Sequence, residues 1–325
     1  MKISIIIPTH GRSDLVKRIL DSAIDQTLTK NDWEVLVISN LEDKNLNQIC
    51  LNSPLVNCYY HYVGSLGVNK ARNLGIEHAR GDILLFIDDD CLFPDDDFLT
   101  RVIKVHDEYS DTVGIGGRYL APDGLSSIEY TYHLNTDIWL KNSLTSDNKT
   151  TNLVGGSASY KKSLFSSKMR FNEAIVFGGS ETDFNARVIQ NGGILRLCPE
   201  HDLIHSPNIS FTALLKKAFL QGAGERRRNT DKIHSGQHFK PRNFDIGNSF
   251  KSIPKAYSKT LVRLLLYCFN FSFQVGYRWF HENKRTPWFA VTRSAIKELF
   301  YRIFGIFRRG IIAEIKYNFK YWFKS

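Results

Sequence analysis

The chain has 325 residues, 42% of them hydrophobic and 23% charged, and a formal charge of +10 at pH 7. That is room for one sizeable α/β domain plus an appendage, and no internal repeat or low-complexity tract is present. Five cysteines, an odd number without Cys-x-x-Cys spacing, argue against a disulfide framework and suit a reducing cytoplasm.

Residues 2–9, Lys-Ile-Ser-Ile-Ile-Ile-Pro-Thr, form a nearly continuous apolar run, as a parallel strand covered on both faces requires. The run starts at once, without a signal-peptide pattern. Leu15, Val16, Ile19, Leu20, Ala23 and Ile24 then recur at helical spacing, and Trp33 to Ile38 reads as a second strand. Alternating strands and helices predict an α/β chain with a mostly parallel sheet.

A short helix is predicted from Gly67, packing through Ala71, Leu74 and Ala79 and stopped by Gly81. Its first turn offers free backbone N–H groups beside Lys70 and Arg72, a cradle for a diphosphate. The next apolar run, residues 83–87, ends in Asp88-Asp89-Asp90. Side chains alternate along a strand, so Asp88 and Asp90 share a side and Asp89 faces the other way. Two carboxylates at the carboxyl end of a strand make a hard-oxygen site for Mg²⁺ or Mn²⁺, which complete their shells with substrate phosphates.

The segment Gly67-x-x-x-Ala71-Arg72-Asn73-x-Gly75 before a strand ending in Asp-x-Asp resembles the family 2 glycosyltransferases of GT-A fold. The resemblance implies a Rossmann-like, mostly parallel sheet flanked by helices, with a C-terminal helical appendage here. It implies that the first loop meets the nucleotide through Pro8, Thr9 and Arg12. It also adds Asn69, Arg72 and Asp89 to the residues that bind the nucleotide-sugar. After the second strand, relatives carry an Asp cluster that reads the base; this chain has Ser39-Asn40-Leu41-Glu42-Asp43. Asn40 both donates and accepts, so the base stays open, and Glu42 or Asp43 would substitute after a loop shift.

In the second half, residues 153–160 resemble the family's glycine-rich segment lining donor and acceptor, where Gly156 permits close backbone approach. Residues 170–184 resemble the segment that carries the catalytic base, and Glu181 stands at that position, with Ser180 replacing the usual preceding acid. An inverting transfer needs a carboxylate there to take the acceptor's proton. The local pattern also reads as a capping box, with Ser180 as N-cap, Glu181 first in the helix and Asp183 reaching back; the helix ends at Asn191-Gly192-Gly193. Read without the resemblance, Glu181 is an acidic residue that merely stabilises its helix. His205, ending the short run Leu203-Ile204-His205, matches the third metal ligand of many GT-A enzymes; the other reading is a structural histidine. Residues 210–224 resemble the family's Ser-x-x-x-Leu-x-x-Lys helix. The Arg226-Arg227-Arg228 cluster after it suits donor phosphates, lipid headgroups or plain solvent.

Residues 1–249 carry a balance of −2, residues 250–325 one of +12. The division expected is a catalytic domain over 1–245, with a nucleotide-sugar half 1–120 and an acceptor half 121–245, then a basic aromatic helical tail over 246–325. Arg302, Arg309, Lys316 and Lys320 fall on one face of a helix over 299–323 among aromatic residues, which suits an anionic membrane surface or packing on the catalytic domain. No nucleic-acid motif accompanies the charge. The function implied is a metal-dependent inverting transfer from a nucleotide-diphosphate-sugar to a hydroxyl of a growing surface glycan or lipid-linked acceptor, peripheral on the inner face of the membrane. The alternative is a membrane-associated sugar-nucleotide binder without turnover, motivated by Asn40 and Ser180.

Overall fold

The computed structural model describes residues 1–175, 178–230 and 253–279. A seven-stranded sheet runs in the order β3 (Cys58–Tyr62), β2 (Trp33–Ser39), β1 (Ile3–Thr9), β4 (Ile83–Ile87), β8 (Ser157–Lys161), β6 (Gly114–Gly116) and β9 (Leu195–Leu197). Strands β3, β2, β1 and β4 are parallel, β8 runs against β4 and β6, and β9 again follows β6. All seven residues of β1 and of β2 are buried, which is why their runs read as continuous apolar sequence.

Alternation divides those strands between two cores. Ile3, Ile5, Ile7, Val35, Val37 and Leu85 face one side, packing on Val16, Ile19 and Leu20 of α1 (Ser13–Ser22), Leu46 of α2 (Lys44–Leu51) and Val102 of α4 (Phe98–Glu108). Ile6, Leu36, Leu84 and Phe86 face the other, against Ala71 and Ile76 of α3 (Val68–His78) and Phe184 and Val188 of α6 (Ser180–Gln190). Burying such a side chain stabilises by ~1.5–3 kcal/mol each. The period of two is therefore enforced on both faces at once.

Gly81 does not stop α3, contrary to the sequence reading. The helix ends at His78 with Ala79 already extended. Gly81 instead lies against the backbone of Ile3 and Ser4, where a Cβ would clash, and its N–H donates to Ser4 Oγ at 2.7 Å. The same hydroxyl donates to Glu34 at 2.7 Å, and Arg80 pairs with Glu34 at 2.6 Å, so the one acid inside β2 is fully engaged.

A second sheet, β5 (Cys91–Leu92), β10 (Leu203–His205) and β7 (Tyr119–Leu120), sits at the carboxyl edge of the first. Helix α5 (Ser127–Lys141) packs beside it. Helix α7 (Phe211–Thr230) is crossed by α8 (Lys259–Trp279) so closely that a Cβ on Gly222 or Gly276 would strike the facing backbone. Val262 and Leu266 of α8 bury against Leu134 and Ile138 of α5, while Phe269 and Phe273 bury against Leu214 and Ala218 of α7. No described helix is long and apolar enough to cross a membrane. The basic pattern over 299–323 lies outside the described residues.

Candidate active site

The end of β4 delivers Asp88, Asp89 and Asp90 as alternation requires. Asp89 points back into the protein: Thr9 Oγ1 donates to it at 2.6 Å, Arg12 Nε donates at 2.9 Å, and a second Arg12 nitrogen closes the ion pair. Burial pushes the Asp89 carboxyl up to about 6, against the pull of Arg12 and Thr9. Asp88 and Asp90 turn to the other side and line a cavity of about 350 Å³.

The small sheet brings in the imidazole. His205 pairs with Cys91 across β10 and β5, and Ser206 N–H bonds to Asp90 O at 3.0 Å. His205 Nε2 therefore stands 3.5 Å from Asp90 Oδ1. Tyr119 of β7 joins the two ends of this set. Its ring stacks on His205, with centroids 4.1 Å apart and planes 13° apart, and its hydroxyl donates to Asp88 Oδ2 at 3.1 Å. Gly156 N–H donates to that hydroxyl at 3.1 Å. Burial pushes the Asp88 carboxyl up, with Asp90 and Glu181 adding to it and Arg72 opposing. Burial acts likewise on Asp90, but His205 and Arg12 outweigh it and hold that carboxyl below the usual range.

Glu181 faces the same cavity from α6. Arg72, only 2% exposed, bridges it to Asp88: Nη1 donates to Glu181 Oε1 at 2.9 Å, and Nη2 lies 3.5 Å from Asp88 Oδ1. The capping box expected at Ser180 does not form. Gly179, in the left-handed region at φ 82°, is the N-cap and Ser180 opens the helix, so Glu181 is its second residue. The Ser180 hydroxyl donates to Asn69 Oδ1 and approaches Arg72. Asp183 is buried and takes Arg187 at 2.7 Å rather than reaching back. A tertiary partner outcompetes the local cap at Ser180, and an i,i+4 partner on the same helix does so at Asp183.

Of the residues singled out from sequence, Pro8, Arg12, Arg72, Asp88, Asp90, Glu181 and His205 line the cavity. Thr9 and Asp89 stand behind it, locked to each other and to Arg12. Gly156 backs it: a Cβ there would strike Asp88 and Tyr119, and one on Gly155 would strike Glu181 and Arg72. Asn40 and Asn69 are committed elsewhere. Asn40 donates to the carbonyls of Ser65 and Gly67, and Asn69 to those of Asn172 and Ile175, so they shape the loop before α3 and the segment before α6. Tyr119, Tyr132 and Lys217, which also face the cavity, carried no assignment from sequence. Only Lys217 had a signal, as the last position of the Ser210-to-Lys217 pattern.

The family model for glycosyl transferase family 2 matches residues 4–167, half of the chain, including the whole Asp88–Asp90 edge. The chain belongs to that family. It is 29% identical to the glycosyltransferase AglE of Haloferax volcanii over 233 residues, 69% of this chain and 72% of that protein. It is 35% identical to a poly(ribitol-phosphate) beta-glucosyltransferase of Bacillus spizizenii over 94 residues, 28% of this chain and only 15% of that much longer protein. Among solved structures it resembles the mannosyltransferase PcManGT from Pyrobaculum calidifontis in complex with GDP-Man and Mn²⁺. The TM-score is 0.57 at 16% identity, over 100% of this chain and 88% of that one. TarS 1–349 of S. aureus in complex with UDP-GlcNAc follows at 0.52 and 14% identity, over 86% of this chain and 91% of that one. The fold of this glycosyltransferase is GT-A.

Proposed function

We propose that this glycosyltransferase is an inverting enzyme that uses Mn²⁺ or Mg²⁺ to transfer a sugar from a nucleoside-diphosphate donor to a hydroxyl of a surface glycan or lipid-linked acceptor. One observation carries the reading: buried Arg72 links Glu181 to Asp88, so the proposed proton acceptor and the proposed metal carboxylate line one cavity within reach of the same guanidinium. An in-line displacement needs a proton acceptor and a charge-stabilising group at one site, and this pairing supports that reading.

Among the described residues no group of three or more His, Cys, Asp or Glu side chains is placed as a ready-made metal site, so the reading rests on the chemistry of the donors. Asp88, Asp90 and the His205 imidazole offer two hard oxygens and one nitrogen around open space, which leaves positions for phosphate oxygens. When bound there, the ion supplies positive charge beside the departing diphosphate. The chain's own residues do the rest. Tyr119 fixes Asp88 relative to His205. Arg12, tied to Asp89 and 3.7 Å from Asp90, keeps the first loop against that edge. Glu181, held by Arg72, takes the proton of the acceptor hydroxyl as its oxygen attacks the anomeric carbon.

The relatives that act on poly(ribitol-phosphate) or bind GDP-Man and UDP-GlcNAc support this class of donor and a surface-polymer acceptor. The basic residues beyond α8 support work at an anionic inner membrane face. The test is sugar transfer and release across UDP-, GDP- and dTDP-sugars with Mn²⁺ or with chelator, the product's anomeric configuration being read by NMR. Retained configuration, or full turnover in chelator, refutes the mechanism. Donor binding without turnover on any donor favours the sugar-nucleotide-binding alternative.

A further inference from the structure

Lys217 reaches the cavity from α7 and differs from its other cations. Arg12 pairs with Asp89 and Arg72 with Glu181 and Asp88, whereas Lys217 has no carboxylate within ion-pair distance among the described residues. Its Nζ donates to the Tyr132 hydroxyl at 2.6 Å and stands 4.1 Å from the centre of the Tyr132 ring. One hydroxyl and one ring face replace only part of the water that an ammonium loses on burial. Burial works against its charge, yet Tyr132, Asp90 and Asp88 outweigh it, so Lys217 binds its proton more tightly than an ordinary lysine. It is a committed cation with donors to spare.

Its place on the wall identifies the anion. Tyr132 lies against His205, ring centroids 5.8 Å apart, and His205 stands beside Asp90. Lys217 thus reaches the cavity beside His205 and Asp90, whereas Arg72 is taken up by Glu181 and Asp88.

We propose that Lys217 binds the diphosphate of the donor and counters the charge that grows on it during transfer, with Tyr132 as the residue that positions the ammonium. The inference rests on the donor reading above. As the bond from the anomeric carbon to the phosphate oxygen breaks, its electron pair goes to that oxygen. The acceptor oxygen forms the new bond and its proton passes to Glu181. Lys217 keeps all its protons and supplies charge-assisted hydrogen bonds to the leaving group.

The experiment titrates inorganic pyrophosphate in the presence of Mn²⁺ into the full chain by calorimetry. Lys217→Met should weaken binding about 10- to 100-fold, and Lys217→Arg should restore most of it. Tyr132→Phe, which keeps the ring and removes the hydroxyl, should give a smaller loss. Lys217→Gln gives the same reading should the Met variant fail to fold. Transfer assays should show the loss in donor kcat/KM with acceptor KM unchanged. Unchanged pyrophosphate affinity in a folded Lys217→Met overturns the assignment, and so does a loss confined to acceptor KM, which would place an acceptor group at Lys217. A wild-type chain that binds no pyrophosphate refutes the donor reading itself, and this assignment with it.

Discussion

Glu181 reaches the cavity already paired with a guanidinium that water cannot screen. The pair orients the carboxylate, and a Gln side chain keeps its shape and an acceptor oxygen for Arg72. Glu181→Gln should therefore lower transfer by about 10²- to 10⁴-fold and leave donor affinity nearly unchanged, measured as initial rates beside calorimetric donor binding. Full turnover in the Gln variant would move the base elsewhere. The Asp run separates two roles at adjacent positions. Asp90→Asn should abolish Mn²⁺-dependent donor binding with the fold intact. Sequence alternation alone gives Asp89→Asn a small effect, but the structure adds a cost, because Asp89 anchors both Thr9 and Arg12. Arg12 is half-exposed and regains water, so the loss of stability is about 1–3 kcal/mol. Chemical denaturation checks it, and equal stability of the two variants would contradict it.

At the scale of elements, legibility followed how many neighbours compete for a segment. Strands β1, β2 and β4 are covered on both faces, and their apolar runs announce it. The glycine-rich turn before β8 was readable because backbone packed on carboxylates admits only glycine, as Gly155 and Gly156 show. Helix α5 was not readable. It packs on α7 and α8 and also presents Tyr132 to the cavity and His133 to His205. No single apolar stripe survives so many demands. Strand β3 is an edge, Cys-Tyr-Tyr-His-Tyr, with Tyr59 and Tyr62 exposed and the other three half-buried, so its alternation is too weak to stand out. The start of α6 was misread because Asn69 and Arg187 lie 111 and 4 residues from their partners Ser180 and Asp183, and only the fold brings the first pair together. His205 depended on the resemblance, since register with Cys91 is a tertiary fact.

For the molecule as a whole, two kinds of burial set how it fails. His106 and His201 are buried around Ser159, at 2.6 and 2.9 Å from its hydroxyl. Burial lowers His106 to about 3 and His201 well below the ordinary value. A histidine that resists protonation when folded protonates freely when unfolded, near pH 6.5, so stability is complete above that pH and falls as pH drops from 6.5 towards 3. Between pH 6.5 and 5 the loss is about 2 kcal/mol per histidine at most. Tm should fall over that interval by calorimetry, and His106→Gln should flatten the slope; a wild-type Tm that is level from pH 7 to 5 contradicts this.

The carboxyl end separates packing from charge. Val262, Leu266, Phe269 and Phe273 of α8 are buried on α5 and α7, which themselves carry Tyr132 and Lys217 to the cavity. At ~1.5–3 kcal/mol for each side chain, ending the chain at residue 250 removes an amount comparable to the whole ~5–15 kcal/mol net stability of a typical domain. That chain should aggregate or lose its cooperative melt. Ending at 279 keeps α8 and removes residues 280–325, where ten Lys and Arg stand against three Glu. If those residues bring the enzyme to anionic lipid, the 1–279 chain should melt like the full protein and no longer sediment with phosphatidylglycerol vesicles. The full chain's binding should weaken as salt shortens the screening length. Unchanged partitioning of the 1–279 chain would assign membrane contact to the described residues, where Leu261 and Leu264 of α8 are the exposed apolar candidates.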